Sequence, residues 1–145
     1  MVQVGDVAPD FRVQNHRGEE TTLKQFSGKT VVLWFYPKAS TGGCTAEGCG
    51  FRDRIEAYEA KGVQILGVSF DTLAENAKFA EDNHFPYPLL CDVDRQIGMA
   101  YGACDSPDAK TPKRMTFVVG PDGKLLQVHA QVNAREHPEA LLKTL

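Results

Sequence analysis

Segments rich in β-branched and aromatic residues alternate with segments of helical spacing along this sequence. Thr30–Phe35 and Val63–Ser69 are largely apolar, which predicts two strands buried on both faces of a sheet. Between them, apolar side chains recur every three or four residues, which predicts one long helix over residues 44–61. The pattern Thr-x-x-Glu at residues 72–75 is typical of a capping box and predicts a helix that ends near His84.

The C-terminal half contains shorter elements and one strong turn signal. Residues 120–123 read GPDG, in which proline and glycine preset the turn, so Met115–Val119 and Leu125–His129 are predicted to form a hairpin. The other predicted elements are an N-terminal hairpin of residues 10–13 and 20–23, a strand at Leu89–Cys91, and helices at residues 95–101 and 134–145. This order predicts an α/β fold with a central mixed sheet flanked by helices and an N-terminal hairpin extension. It is compatible with a thioredoxin-like fold.

Composition and charge exclude several classes of protein. A chain of 145 residues suits one domain, which we expect to span residues 1–145. The net charge is −3 and the basic residues form no stripe, so no nucleic-acid partner is expected. The longest mostly apolar run covers only residues 31–36, so no membrane span is expected. The N-terminus lacks the features of a secretory signal, so we expect a cytoplasmic protein whose four cysteines are catalytic or incidental.

Cys44 occupies a position where a thiolate is stabilised. It follows a buried strand and a loop that contains proline and glycine, and it falls in the first turn of the predicted helix. Backbone N–H groups there have no partner within the helix, and the helix dipole places about half a positive charge nearby. Because the thiolate is the form that attacks O–O and S–S bonds, this location favours a reactive cysteine. The alternative is a buried apolar core residue.

The residues around Cys44 resemble a peroxiredoxin motif. Residues 37–44, Pro-Lys-Ala-Ser-Thr-Gly-Gly-Cys, match the pattern P-x-x-x-T-x-x-C directly after a hydrophobic strand. Further similarity covers nearly the whole chain, at residues 5–11 (GDVAPDF), 44–53 (CTAEGCGFRD), 67–71 (GVSFD), 89–92 (LLCD) and 114–119 (RMTFVV). The sequence is therefore similar to the peroxiredoxins (AhpC/TSA-like), in particular to their bacterioferritin comigratory protein or Q-type branch. Gly42 departs from this branch, which usually has proline there, so a more flexible loop is expected.

The resemblance implies a thioredoxin-like fold and a role for each motif residue. Cys44 would be the peroxidatic nucleophile, the Thr41 hydroxyl would orient the peroxide, and Pro37 would shield the cysteine from water. Arg114, at the start of a later strand, would bind the peroxide oxygens and favour the thiolate. Thr41 could instead cap the helix, and Arg114 could be a surface charge. Glu47 matches a common glutamate of this branch, which either hydrogen-bonds near the site or only favours the helix N-terminus.

Oxidised Cys44 would become a sulfenic acid, which a second thiol condenses to a disulfide. The resemblance to one subgroup of the branch implies Cys49 as this resolving cysteine. Residues five apart in an intact helix have Cα atoms about 8–9 Å apart, whereas a disulfide requires less than about 7 Å. We therefore expect the first turns of the helix to unwind during turnover. Cys91, Cys104 and an external thiol are the alternative resolving groups.

The expected function is that of a thiol-dependent peroxidase for hydrogen peroxide and organic hydroperoxides, recycled by thioredoxin or a similar dithiol protein. No cofactor or metal is expected, because the chain has no flavin or nicotinamide motif and its histidines lack metal-ligand spacing. Members of this branch are often monomeric, so we expect a monomer. The alternatives are a thioredoxin-like disulfide oxidoreductase, for which Cys-x-x-Cys would be the usual spacing, and a redox sensor with the same fold.

Overall fold

Short strands and helices alternate along residues 2–145, the part of the chain that the computed structural model describes. The strands are β1 (Arg12–Gln14), β2 (Glu20–Thr22), β3 (Thr30–Phe35), β4 (Val63–Ser69), β5 (Leu89–Cys91), β6 (Met115–Val119) and β7 (Leu125–His129). The helices are α1 (Gly42–Asp53), α2 (Ile55–Ala60), α3 (Leu73–Asn83), α4 (Gln96–Tyr101) and α5 (His137–Leu142), and a 3-10 helix lies at Leu23–Phe26. None of the helices in this part of the chain is long and apolar enough to cross a lipid bilayer.

Five of the strands form a mixed sheet in the order β5-β4-β3-β6-β7. β3 pairs in parallel with β4, and β4 pairs in parallel with β5, whereas β6 runs antiparallel to both β3 and β7. β1 and β2 form a separate antiparallel hairpin. The predicted α/β fold, with a central mixed sheet and an N-terminal hairpin, is therefore confirmed.

β3 lies in the centre of the sheet and contributes to the core on both of its faces. Its odd-numbered side chains pack with Ile97 and Tyr101 of α4. Its even-numbered side chains pack with Phe51 of α1 and Phe79 of α3. Because alternate residues of a strand point to opposite faces, a strand covered on both sides must be apolar almost throughout. This requirement explains the TVVLWF segment. Residues 36–41 then lead from the C-terminal end of β3 to the start of α1.

The helix predicted over residues 44–61 is divided at Arg54, so the prediction of one continuous helix is wrong there. In a continuous α-helix the Arg54 amide would donate to the Gly50 carbonyl, but it donates to the Phe51 carbonyl instead (3.2 Å). The Arg54 guanidinium donates to the Gly50 carbonyl in its place (3.1 Å). This tighter turn ends α1, and α2 begins directly after Arg54.

The final helix and the N-terminal hairpin also differ from their predicted bounds. The final helix, α5, is shorter than the predicted segment 134–145. Pro138 has no N–H and fits only in the first turn of a helix. Asn133 Oδ1 accepts hydrogen bonds from the amides of Arg135 and Glu136, which holds the preceding residues in a turn. In the N-terminal hairpin, the first strand begins at Arg12, two residues later than predicted.

α1 is packed closely between its neighbours at two glycines. A Cβ atom on Gly48 would lie 2.4 Å from Cζ of Phe85, and one on Gly50 would lie 2.7 Å from Cγ of Pro138. Both distances are shorter than close-packed atoms allow, so these positions require glycine for the neighbours to approach. A Cβ atom on Gly42, the first residue of α1, would meet nothing within 4 Å.

Replacement of Gly48 by alanine is expected to destabilise the protein. Alanine is favoured over glycine in a helix by up to about 1 kcal/mol, but the added methyl group overlaps the Phe85 ring, and overpacking costs about 1–3 kcal/mol. We expect the free energy of unfolding to fall by about 1–2 kcal/mol, measured by urea denaturation of the reduced protein. Gly42→Ala is the matched control without a clash and should be at least as stable as wild type. Equal stability of the two variants would contradict the packing argument.

Candidate active site

The sheet order brings the start of α1 next to the start of β6. A loop of residues 36–41 leads from β3 to Thr41, the residue that precedes α1. β6 begins at Met115, which pairs with Phe35 in the antiparallel β3–β6 ladder. Arg114, directly before β6, therefore lies beside the segment that carries Cys44, although the two residues are 70 positions apart in the sequence.

Cys44, Glu47 and Arg114 form the centre of the site. Cys44 and Glu47 are three residues apart in α1, so they share one face of the helix, and both are 0% exposed. Arg114 Nη2 lies 3.3 Å from Cys44 Sγ, and Nη1 donates to Glu47 Oε1 at 2.7 Å. One guanidinium thus bonds a thiol and a carboxyl group at the same time, which requires the fork geometry of arginine.

Positive charge surrounds the Cys44 sulfur. The sulfur lies in the first turn of α1, where amide N–H groups lack helical partners and the helix dipole is positive. The Arg114 guanidinium adds a full positive charge in direct contact with it. A Cβ atom on Gly43 would lie 3.1 Å from Arg114 Nη2, so the glycine in the motif leaves room for this contact. Both features stabilise a negative charge on sulfur.

Burial changes the protonation of Glu47. Its removal from water raises the pKa of the carboxyl group from 4.5 to about 7, although the ion pair with Arg114 acts in the opposite direction. Oε1 is bonded to Arg114, whereas Oε2 is buried and has no hydrogen-bond partner among residues 2–145. Near neutral pH the carboxyl group is therefore divided between its charged and its neutral form.

The two other motif residues lie in the loop before α1. Thr41 occupies the N-cap position, but its side chain makes no capping hydrogen bond, and its hydroxyl donates to the Lys38 carbonyl at 2.7 Å. Side-chain capping therefore does not explain this threonine. Pro37 is partly buried and directly follows the fully buried Tyr36. Thr41 itself is exposed at the N-terminus of α1.

The three other cysteines lie away from this centre, and all four thiols are free. Cys49, in the middle of α1, is partly buried, with Sγ 3.7 Å from Asn83 Oδ1. Cys91 and Cys104 are buried, and burial raises the pKa of both thiols, which disfavours the nucleophilic thiolate. Across residues 2–145, no three His, Cys, Asp or Glu side chains come together in a way that could hold a metal ion.

The ion pair of Glu47 with Arg114 is a feature that the sequence analysis left undecided. Glu47 follows Cys44 by three residues, and this spacing alone indicates that the two side chains share one helix face. If that face is buried, an acidic side chain on it needs a cationic partner. Arg114 was already a candidate for the site, so these two signals together could have identified the pair.

The fold and the site define a class: a protein of thioredoxin-like fold with a buried cysteine, contacted by arginine, at the N-terminus of a helix. The family model described as the AhpC/TSA family matches residues 4–128. The chain therefore belongs to the AhpC/TSA family. It is similar to peroxiredoxin Bcp of Escherichia coli strain K12, with 34% identity over 149 residues that cover 99% of this chain and 96% of the relative. Peroxiredoxin Bcp of Bacillus subtilis is 32% identical, with coverages of 99% and 95%.

Solved structures lead to the same branch of the family. Peroxidoxin BcpB from Mycobacterium tuberculosis superposes with a TM-score of 0.91 at 34% identity, covering 99% of this chain and 96% of that one. The bacterioferritin comigratory protein of Xanthomonas campestris, for which alkyl peroxide reduction activity is described, gives a TM-score of 0.87 at 28% identity, with coverages of 99% and 95%. The thioredoxin-like fold and the resemblance to the bacterioferritin comigratory protein or Q-type branch are confirmed.

The raised pKa of Glu47 predicts a pH-dependent stability. An unfolded glutamate titrates near 4.5 and the folded one at about 7, so the folded chain holds the proton more tightly. The resulting stabilisation is complete below about pH 4.5 and is lost as the pH rises through 7, by up to about 3 kcal/mol. Glu47→Gln removes this titration. Relative to wild type, its free energy of unfolding should therefore improve steadily from about pH 5 to about pH 8.

Urea denaturation at a series of pH values measures this trend. Glu59→Gln, at an exposed position of α2, is the matched control for the loss of one acidic side chain. A difference between Glu47→Gln and wild type that is the same at every pH would show that Glu47 does not titrate in this range.

Proposed function

We propose that this peroxiredoxin reduces hydrogen peroxide and organic hydroperoxides at Cys44, resolves the product with Cys49, and is recycled by thioredoxin or a similar dithiol protein. The observation that carries this proposal is the 3.3 Å contact of Arg114 with Cys44 Sγ in the first turn of α1. It surrounds one sulfur atom with a fixed charge and unpaired amides, as a peroxide-reactive thiolate requires. Membership of the AhpC/TSA family, with peroxiredoxins as full-length relatives, supports the same activity.

In the first step, the Cys44 thiolate attacks the terminal oxygen of the hydroperoxide. An S–O bond forms as the O–O bond breaks, and the sulfur is oxidised to a sulfenic acid. The electron pair of the broken bond leaves on the second oxygen, which takes up a proton to give an alcohol or water. Negative charge thus moves from sulfur to oxygen. The N–H groups of Arg114, which lie beside Sγ, can donate hydrogen bonds to that oxygen and stabilise the charge. Glu47 holds the guanidinium in place at 2.7 Å.

Thr41 is proposed to orient the hydroperoxide as a hydrogen-bond acceptor. The hydroxyl hydrogen of Thr41 is donated to the Lys38 carbonyl, so the lone pairs of its oxygen remain available for the O–H group of the substrate. Pro37, partly buried at the start of the same loop, is proposed to shield the sulfur from water. Both assignments rest on the family motif and on the position of the loop before α1.

Cys49 is proposed as the resolving cysteine because it shares α1 with Cys44 and is not fully buried. Its thiol would condense with the sulfenic acid to form the S–S bond and release water. An intact helix keeps the two Cα atoms about 8–9 Å apart, beyond the limit of about 7 Å for a disulfide, so the first turns of α1 must open. Gly48 and Gly50 weaken the helix, but they also admit Phe85 and Pro138, so opening must release these contacts.

We also propose a monomer with one domain that works in a reducing compartment such as the cytoplasm. Free thiols at all four cysteines suit a protein that an external dithiol keeps reduced. The monomer follows from the family branch, whose members are often monomeric.

Peroxide consumption coupled to thioredoxin and its reductase tests the roles of these side chains. Cys44→Ser should be inactive with any reductant. Cys49→Ser should be inactive with thioredoxin but active with small thiols, which reduce the sulfenic acid directly. Arg114→Lys should lower the rate by about a hundredfold. A lysine ammonium lacks the planar fork with which the guanidinium bonds the sulfur and the Glu47 carboxyl group at the same time. Cys104→Ser is the control and should keep full activity; if it behaves like Cys49→Ser, the resolving cysteine is assigned wrongly.

Unwinding of α1 predicts faster hydrogen exchange in the oxidised protein. Backbone amides of residues 44–50 should exchange faster in the disulfide form than in the reduced form, whereas amides of α3 should exchange equally in both. Mass spectrometry of peptic fragments measures the difference. Equally slow exchange of residues 44–50 in the two forms would rule out the opening.

Gly42→Pro is a sharper variant for the same question. Gly42 is the first helical residue, and the preceding Thr41 has φ −91° and ψ 160°, which suits a residue before proline. The proline should stabilise the reduced protein by up to about 1 kcal/mol and slow disulfide formation. Disulfide formation at the wild-type rate in a stabilised Gly42→Pro protein would place the opening outside the first turn.

A further inference from the structure

A buried carboxylate, Asp71, holds the loop that carries Thr41. Asp71 follows β4, and its side chain is 3% exposed. Both of its oxygens bond to the loop after β3. Oδ1 accepts a hydrogen bond from Lys38 Nζ at 2.6 Å, and Oδ2 accepts one from the Ala39 amide at 2.8 Å. One residue therefore fixes both a side chain and the main chain of the loop.

The backbone of this loop needs such a restraint. Ser40 has a φ of +65°, in the left-handed region that residues with a Cβ atom rarely adopt. A conformation of this kind persists where the surrounding contacts over-determine it. Asp71 bonds to Ala39 on one side of Ser40, and the Thr41 hydroxyl on the other side bonds back to the Lys38 carbonyl. The position of Thr41 thus follows from where Asp71 holds the two residues before Ser40.

Asp71 is itself fixed by a buried polar network that reaches the other end of the loop. Its amide donates to Ser69 Oγ at 3.3 Å, and Asn76 Nδ2 donates to the same oxygen at 3.1 Å. Asn76 Oδ1 accepts a hydrogen bond from the hydroxyl of Tyr36, the residue at the start of the loop, at 2.6 Å. The loop is therefore held at both ends from β4 and α3. In the sheet, β4 lies on the opposite side of β3 from β6, which directly follows Arg114.

We propose that Asp71 is a positioning residue of the peroxidase reaction, which sets the place of Thr41 relative to Cys44. The inference rests on the proposed function, because the place of Thr41 matters only if a hydroperoxide binds there. Asp71 acts through the loop, while Arg114 is placed separately by β6. Loss of the carboxylate therefore impairs the step in which peroxide is bound and attacked. It leaves the later condensation of Cys44 with Cys49 unchanged.

Stopped-flow fluorescence separates these two steps. Trp34 is the one tryptophan of the sequence, and its ring centroid lies 5.5 Å from that of Phe51 in α1, so its emission responds to changes in that helix. A phase whose rate rises with the hydrogen peroxide concentration reports oxidation of Cys44, and a phase independent of that concentration reports disulfide formation. In Asp71→Asn we expect the peroxide-dependent rate constant to fall by about tenfold to a hundredfold. The second rate constant should equal that of wild type.

Lys38→Met provides a second variant at a side chain that is 49% exposed, where folding is not at risk. It should slow the same phase by a smaller factor. Lys38 Nζ also pairs with Glu75 Oε2 at 2.5 Å. Because Asp71 and Lys38 share one contact, the double variant should be slowed by less than the product of the two single effects. Asp82→Asn, which removes the exposed ion pair with Lys78 in α3, is the control and should keep both rates. If Asp71→Asn does not fold, Lys38→Met decides the question.

Two results would overturn the inference. One is a peroxide-dependent rate equal to wild type in every folded variant of Asp71 and Lys38. The other is equal slowing of both phases, because a general structural effect acts on both. Failure of the proposed function would be seen separately: wild type would then show no peroxide-dependent phase, or Cys44→Ser would show the same phase as wild type.

Discussion

Arg114 approaches Cys44 to 3.3 Å, and the rest of the site is arranged around that contact. It joins a helix N-terminus to the first residue before a strand, and it exists because β6 pairs with β3 in one register. A shift of that register by a single residue would turn the side chain to the other face of the sheet. Burying a charge is costly unless its partners are well placed. The Arg114 guanidinium, which contacts Cys44 Sγ through Nη2, also has a well-placed partner in Glu47, which it bonds through Nη1.

Two opposing requirements meet in α1. Its intact first turn supplies the positive environment of the Cys44 sulfur, yet a disulfide with Cys49 needs that turn to open. The helix combines low intrinsic stability at its glycines with tight packing against Phe85 and Pro138. The turn at Arg54 also separates α1 from α2, so that an opening of α1 does not have to extend into α2. Under the proposed resolution by Cys49, the balance between packing and helix propensity sets the free energy needed to open α1.

Several elements could be predicted because their causes are local. The capping box at Thr72 and Glu75 forms as the pattern indicates, with hydrogen bonds in both directions. The break at Arg54 could not be predicted, since apolar residues continue at helical spacing through it and only the competition for the Gly50 carbonyl divides the helix. Asp71 lies in the GVSFD segment that resembles the family, but its role could not be predicted, because a carboxylate after a strand is common and its partners in the loop are distant in sequence.

The sequence alone determined the order of the elements, the family and the candidate reactive cysteine. Strand periodicity, the position of Cys44 after β3 and the motif around it are local properties. Only the tertiary structure decided which charged groups surround that cysteine. Strand pairing and burial bring Arg114 to Glu47 and Cys44, and they bring Asp71 to Lys38. Their protonation and geometry follow from desolvation and from contacts between distant segments, and neither is encoded in the spacing of residues along the chain.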